Sequence, residues 1–303
     1  MQLKKYYKKT KILTFCTHER YQSNMNDISA EFYLLQYNGS KPWKIQYAEL
    51  PSNHFFLPNN IIPPYLDFDF VLCQSKWQFE LAQKLSKERN LPLVCLEHTI
   101  PTSNFSPQEL KALKTMRGHY NVYISDYNKN MWEDGNGFII KHCVDTNIFS
   151  FKPNSQHLNN VFLAVQNDYI NRNYCLNFDL FRELAQHFPV YAVGDTPGLS
   201  ESAKNVEDLI QKYQSCKIYI NTAHESPIPT SLLEAMACGC ACLSVNSCAI
   251  PEYINHGYNG FLFDNVEEML KYANMLYNDA KLRENFGQAA RQTIEVLCDK
   301  NYF

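Results

Sequence analysis

Several things are missing from this 303-residue chain, and each absence excludes something. It has no long apolar run. After the basic opening Lys4-Lys5-Tyr6-Tyr7-Lys8-Lys9-Thr10-Lys11 comes only Ile12-Leu13-Thr14-Phe15-Cys16, too short for a signal-peptide core or a membrane span. The expectation is a cytoplasmic chain without a transmembrane segment. It lacks an excess of one charge: the formal net charge is −3, which argues against capture by bulk attraction to nucleic acid or an anionic membrane. Its eleven cysteines lack paired zinc spacings, and no Asp/Glu pair has metal spacing, so no metal site is expected. The alternation Cys238, Cys240, Cys242 reads as small buried residues. Glycine is scarce, at 10 residues, and no Gly-rich loop follows the first apolar run. That removes the usual phosphate cradle from this segment. There is no internal repeat and no low-complexity tract.

What is present is a packed-core composition, 45% hydrophobic and 19% charged, in a chain long enough for two domains. Short apolar runs alternate with helical patterns. Strands are predicted over Lys11–Thr17, Asp69–Gln74, Leu91–Thr99, Asn121–Ser125, Asn160–Val165, Pro189–Asp195 and Lys217–Asn221. Helices are predicted over Lys76–Glu88, near Asn128–Trp132, over Phe178–His187, Val206–Tyr213, Thr230–Ala237 and Ala280–Leu297. Residues between Trp43 and Pro64 read as irregular strands and loops. Strands alternating with helices imply parallel, doubly wound sheets, reached twice along the chain.

The most informative stretch runs from His224 to Cys240, HESPIPTSLLEAMACGC. Pro227 and Pro229 suit a loop and a first helical turn, and Gly239 is a natural helix terminator. The result is a strand, a Pro-rich loop and a helix N-terminus carrying Thr230 and Ser231. Free backbone N–H groups and the positive dipole end favour an anion there. Glu234 lies three and four residues beyond those hydroxyls, so the three share a face. A carboxylate there repels phosphate but accepts hydrogen bonds from a diol such as a ribose. That is a nucleotide pocket; the alternative is a capped amphipathic helix with an exposed Glu.

Glu225 to Cys240, Ala249-Ile250-Pro251-Glu252-Tyr253-Ile254 and Gly257-Tyr258-Asn259-Gly260-Phe261-Leu262 together resemble the signature of GT-B glycosyltransferases of the family-4 type. One departure stands out. Glu225 and Glu234 are separated by eight residues where the family has seven, which puts Ser226 in the place of the family's first Glu. The stretch Phe138–Phe149 resembles the family's inter-domain connection, with His142-Cys143 where Asn-Gly is common. The resemblance implies an α/β fold of two Rossmann-like domains facing across a cleft. Their bounds would be 1–145 on the acceptor side, 146–280 for the nucleotide sugar, and 281–303 as a helix packing back toward the first domain.

The resemblance also implies roles. The donor would be a UDP- or GDP-sugar, used without a bound cofactor or metal and with retention of anomeric configuration. The enzyme would be a hexosyl- or pentosyltransferase. Family members hold the diphosphate with an Arg and a Lys after the first strand of the second domain. Here Gln166 occupies the Arg place, and Arg172, the only basic residue between Lys152 and Arg182, lies within one residue of the Lys place. Gly194 would let backbone approach the base or phosphate closely. Thr230 and Ser231 would complete the phosphate cradle, Glu225 or Ser226 would stand in for the first Glu, and Glu234 would read the ribose. His98, at the end of a first-domain strand, matches the His placed near the transferred sugar. The acceptor stays open between a glycan, a lipid-linked sugar or headgroup, and modified DNA, as does the oligomeric state. Two other activities fit the same scaffold: a sugar-nucleotide epimerase, and an inactive binding module, to which the altered Gln166 and Ser226 point.

Overall fold

The structure, a computed structural model, describes residues 8–36, 42–152 and 161–298. Lys4 to Tyr7 of the basic opening and Asn160 lie outside the described residues. The chain divides into two compact units, one of residues 1–124 and 132–139, the other of 125–131 and 140–303.

The first unit is built on a seven-stranded, wholly parallel sheet: β1 (Thr10–Phe15), β2 (Ala30–Leu35), β3 (His54–Phe56), β4 (Phe70–Cys73), β5 (Leu93–Glu97), β6 (Tyr120–Tyr123) and β7 (Phe138–Ile139), in the order β3-β2-β1-β4-β5-β6-β7. Its helices are α1 (Glu19–Ser23), α2 (Phe79–Arg89) and α3 (Pro107–Thr115). Strand side chains alternate between two apolar layers, as in a sheet covered on both faces. Leu13, Phe15, Val71, Cys73, Leu93 and Cys95 pack with Phe79 and Ala82 of α2. Ile12, Phe32 and Leu72 form the opposite layer with Met25 and Ala30.

In the second unit, α4 (Asp126–Met131) precedes a five-stranded parallel sheet. The sheet comprises β8 (Phe162–Val165), β9 (Val190–Val193), β10 (Ile218–Asn221), β11 (Ala241–Val245) and β12 (Gly260–Phe263), ordered β12-β11-β10-β8-β9. Around it stand α5 (Asn173–Leu176), α6 (Phe178–Leu184), α7 (Val206–Cys216), α8 (Thr230–Ala237), α9 (Val266–Asn278) and α10 (Ala280–Leu297). Phe162, Ala164, Ile218, Ile220, Leu243 and Phe263 from the strands meet Phe181, Met269, Ala273 and Phe286 from the helices. The predicted strands and helices fall at these places, with ends shifted by a few residues in either direction. β2, β11, β12, α3 and α9 are elements the periodicity reading passed over.

The described residues of α10 belong to the second unit, where they pack on α8, α9 and β11. Two glycines come close there. A Cβ on Gly287 would lie 2.1 Å from the Gly239 carbonyl oxygen, and Gly239, with φ +76°, leaves its own Cβ space to the Phe151 ring. No helix among the described residues is long and apolar enough to cross a membrane.

Gly287→Ala must therefore push α10 off the end of α8. The expected cost is roughly 1–3 kcal/mol of overpacking, read as a lower urea midpoint with an unchanged slope. A midpoint equal to that of the parent protein would show that the glycine contact is slack.

Candidate functional site

Helix α8 begins where the motif places it. Pro229 is its N-cap, in extended conformation (φ −67°, ψ 121°), and makes no side-chain capping bond. At the other end Gly239 sits past the C-cap Cys238, with the Gly239 N–H bonding to the Met236 carbonyl and the Cys240 N–H to the Ala235 carbonyl, closing the last turn. Leu232, Leu233, Ala235, Met236 and Ala237 are buried, so the helix is wrapped on most sides and its rotation is fixed.

Each polar residue of its first two turns is held by a buried partner. Thr230 Oγ1 lies 3.1 Å from His142 Nε2. The Tyr219 hydroxyl, from β10, donates to Ser231 Oγ at 2.8 Å. The Tyr213 hydroxyl, from α7, donates to Glu234 Oε2 at 3.0 Å. Thr230 and Ser231 are half-buried, whereas Glu234 is only 3% exposed, so the shared face is turned inward at Glu234. The reading of an amphipathic helix with an exposed Glu is thus incorrect: burying a carboxylate requires hydrogen-bond donors, and Tyr213 supplies one.

The loop before α8 is fixed from two directions. Ser247 Oγ and Cys248 Sγ donate to the His224 carbonyl at 3.1 and 3.2 Å, and the Ala249 N–H donates to the Pro227 carbonyl at 3.1 Å. From the other side, the N–H groups of His224 and Glu225 both donate to the Cys175 carbonyl, at 3.0 and 3.2 Å. Cys175 lies in α5, whose N-cap is Arg172. Arg172 is exposed, with one guanidinium nitrogen 3.8 Å from the Cys175 sulfur. The fold therefore brings the turn of Arg172 to the loop of Glu225 and Ser226, both half-buried. Thr222 strengthens that junction by donating to the Leu176 carbonyl at 2.6 Å.

Gly194 ends β9 with φ +135°. Its close approach is to the chain's own backbone: a Cβ there would lie 1.9 Å from the Gln166 carbonyl oxygen. The fold itself therefore requires a glycine at this turn, whatever borders it. Gln166, in the place of the family's Arg, has a buried side-chain nitrogen with no hydrogen-bond partner among the described residues, as has Nδ1 of His224. Buried donors and acceptors in that state await a partner.

In the first unit, His98 follows β5 and is nine-tenths buried. Its ring stacks on Tyr21, with centroids 4.3 Å apart and planes within 2°. The residues on either side of it are pinned. Glu97 pairs with Lys76 at 3.2 Å and accepts from the Thr99 N–H and hydroxyl, and Trp132 donates to the Thr99 carbonyl at 2.7 Å. His18, the N-cap of α1, uses Nδ1 to accept from the Arg20 N–H at 3.2 Å, which leaves the ring proton of the neutral form on Nε2. Burial holds its pKa below the usual imidazole value. His18 falls among the polar residues after the first strand, which are plausible site members; His142, Tyr213 and Tyr219 were not among the candidate residues. Their signal, a polar atom in an apolar run, becomes informative only once its partner is known.

Residues 202–293 match the family described as Glycosyl transferases group 1. The chain carries a group 1 glycosyltransferase domain. Two curated relatives align over short stretches. N-acetyl-alpha-D-glucosaminyl L-malate synthase of Bacillus anthracis is 38% identical over 65 residues, 21% of this chain and 17% of its own. N,N'-diacetylbacillosaminyl-diphospho-undecaprenol alpha-1,3-N-acetylgalactosaminyltransferase of Campylobacter jejuni is 30% identical over 87 residues, 28% of this chain and 23% of its own. The matched stretches thus span about a fifth of each relative's length. Among solved structures, Anabaena HepE in complex with UDP and glucose is similar over 95% of both chains, with a TM-score of 0.73 and 17% identity. HepE has also been solved with UDP-glucose. At that identity the likeness shows the fold: GT-B, two Rossmann-like units, the group 1 domain lying in the second.

The buried imidazole behind Thr230 gives the second unit a pH signature. Burial pushes His142 down to about 4, against about 6.5 in an unfolded chain. Between those values the unfolded state binds the extra proton and the folded state does not. Stability therefore rises with pH across the window, is complete above 6.5 and levels off below 4. His142→Gln should flatten the change in unfolding free energy between pH 4 and 6.5 by up to about 3 kcal/mol. Urea titrations at several pH values measure it; equal slopes for both proteins would mean that His142 is solvated.

Proposed function

We propose that the protein transfers a sugar from a UDP-sugar to an acceptor hydroxyl, as a metal-independent, cytoplasmic hexosyl- or pentosyltransferase. The observation that carries this reading is the tethering of the Arg172 turn to the loop that feeds α8, through the Cys175 carbonyl. In this reading one guanidinium, the N–H groups of a helix N-terminus and two hydroxyls serve the same ligand. That combination suits a diphosphate, which needs cationic and N–H stabilisation as it leaves. HepE, similar over nearly the whole chain, has been solved with UDP and with UDP-glucose, which favours uridine over guanosine in the donor.

In this reading Arg172 clamps the diphosphate, and Thr230 and Ser231 lie beside it. Glu234, oriented by Tyr213, accepts from the ribose hydroxyls. The Gly194 turn borders the base, and Glu225 and Ser226 approach the sugar. Gln166 donates its buried amide to the donor. Retention of configuration rests on the family resemblance, and the acceptor is a glycan, a lipid-linked sugar or a modified base. The eleven cysteines are all thiols, in keeping with a reducing compartment.

Arg172→Ala should weaken UDP by roughly 1.5–3 kcal/mol while leaving uridine unchanged. Calorimetric titration with both ligands decides it, and equal losses would remove Arg172 from the phosphate role. Glu234→Gln should raise the Kd for UDP about tenfold, some 1.4 kcal/mol, but leave a 2′,3′-dideoxy analogue unaffected. The same loss toward both would leave the carboxylate a purely structural group. The activity itself is tested by UDP release from UDP-sugars with and without glycan acceptors. Binding without release under every acceptor would favour the inactive module.

A further inference from the structure

Two pairs of cysteines lie side by side in the fold, and they differ in what surrounds them. Cys73 and Cys95 are in register on the adjacent strands β4 and β5, and both are buried in the first unit's core. Cys143 and Cys298 belong to the second unit and are half-buried. Cys143 lies in the segment entering that unit, next to His142, and Cys298 caps the last turn of α10. The two segments bond reciprocally. The Cys143 sulfur lies 3.3 Å from the Leu297 carbonyl oxygen, its one S–H within reach of both that oxygen and the Cys298 sulfur, and the Cys298 sulfur accepts from the Val144 backbone.

Such a pair is asymmetric. The bond from Cys143 pulls the Cys298 pKa below the ordinary thiol value, and the Val144 N–H adds to this. The same bond, with burial, raises Cys143. A sulfur that ionises more readily than an ordinary thiol, is only half-buried and has a second thiol in contact has the features of an oxidation-sensitive cysteine with a resolving partner.

We propose that Cys143 and Cys298 are a redox-responsive pair that a hydroperoxide converts to a disulfide, latching the end of α10 to the segment that carries His142. The Cys298 thiolate attacks the outer oxygen of the peroxide. The O–O bond breaks, an alcohol (or water, from hydrogen peroxide) departs with a proton, and Cys298 becomes a sulfenic acid. The Cys143 sulfur then attacks the Cys298 sulfur; the S–S bond forms, the S–O bond breaks, and water leaves with the thiol proton. Two thiols have lost two electrons to one peroxide, which is reduced.

The test treats the full chain, folded, with a few equivalents of hydrogen peroxide, alkylates the remaining thiols, and maps peptides without reduction. The expected result is a loss of 2 Da with Cys143 and Cys298 in one cross-linked peptide, reversed by dithiothreitol. The unfolding temperature should rise by roughly 5 °C or more, since the link closes a long loop. In Cys143→Ser, dimedone should mark Cys298. A cross-link at Cys73–Cys95, Cys298 driven to sulfinic acid with Cys143 still reduced, or dimedone on Cys143 of the unmodified sequence would each overturn the proposal. Should Cys143→Ser fail to fold, the peptide map of the parent protein decides alone.

Discussion

One guanidinium holds the second unit's polar architecture in place. Arg291, on α10, donates to the carbonyls of Ala237 at 2.7 Å, Phe149 at 2.6 Å and Thr146 at 3.0 Å, while its Nε pairs with Glu295. Ala237 is the last residue of α8, whose C-terminal carbonyls have no helical partners. A cation there satisfies one of them and complements the negative end of the dipole. The same side chain fastens the connecting segment around residues 146–149 to both helices. With its C-terminus so fixed, α8 presents its N-terminus at one depth, and Thr230, Ser231 and Glu234 keep their places.

From there the polar groups are layered. Behind α8 stand Tyr213, Tyr219 and His142, all buried, each aimed at one side chain of the helix's first turns. In front stand the exposed Arg172 and the half-buried loop of Glu225 and Ser226. The back layer pre-orients, so that little rotamer entropy remains to be lost when a ligand arrives. Cation and carboxylate differ in exposure: Glu234 is buried beside Tyr213, whereas Arg172 is exposed.

How far the sequence alone reaches can be seen element by element. Strand β10 and helix α8 were legible because a β-branched run, two prolines and a glycine stop follow one another within 23 residues, Lys217 to Gly239. Helix α3 also carried a local signal, the capping box of Ser106 and Glu109, which a search for long periodic runs passes over. Strand β2, AEFYLL, lacks a strict apolar–polar alternation, and its pairing with β1 and β3 makes it a strand. At the candidate site the hydroxyls and Glu234 were legible from helical spacing, and Arg172 from being a solitary cation. The inward turn of Glu234 was not, because which face of a helix is buried depends on a tyrosine 21 residues away. Nor was the role of Gly194, since its neighbour is the carbonyl of a strand nearly 30 residues earlier.

The path of the chain around α4 matters to anyone who recombines such proteins. Residues 125–131 belong to the second unit although residues 132–139 return to the first. The reason is chemical: the Glu252 carboxylate accepts from the N–H groups of Asp126 and Tyr127 at 3.3 and 2.8 Å, and pairs with Lys141 at 3.3 Å. A single crossover near residue 140 would leave this helix on one parent and its cap on the other. A clean exchange of units takes three junctions, and a two-piece chimera inherits an α4 whose first turn meets a foreign residue where Glu252 should be.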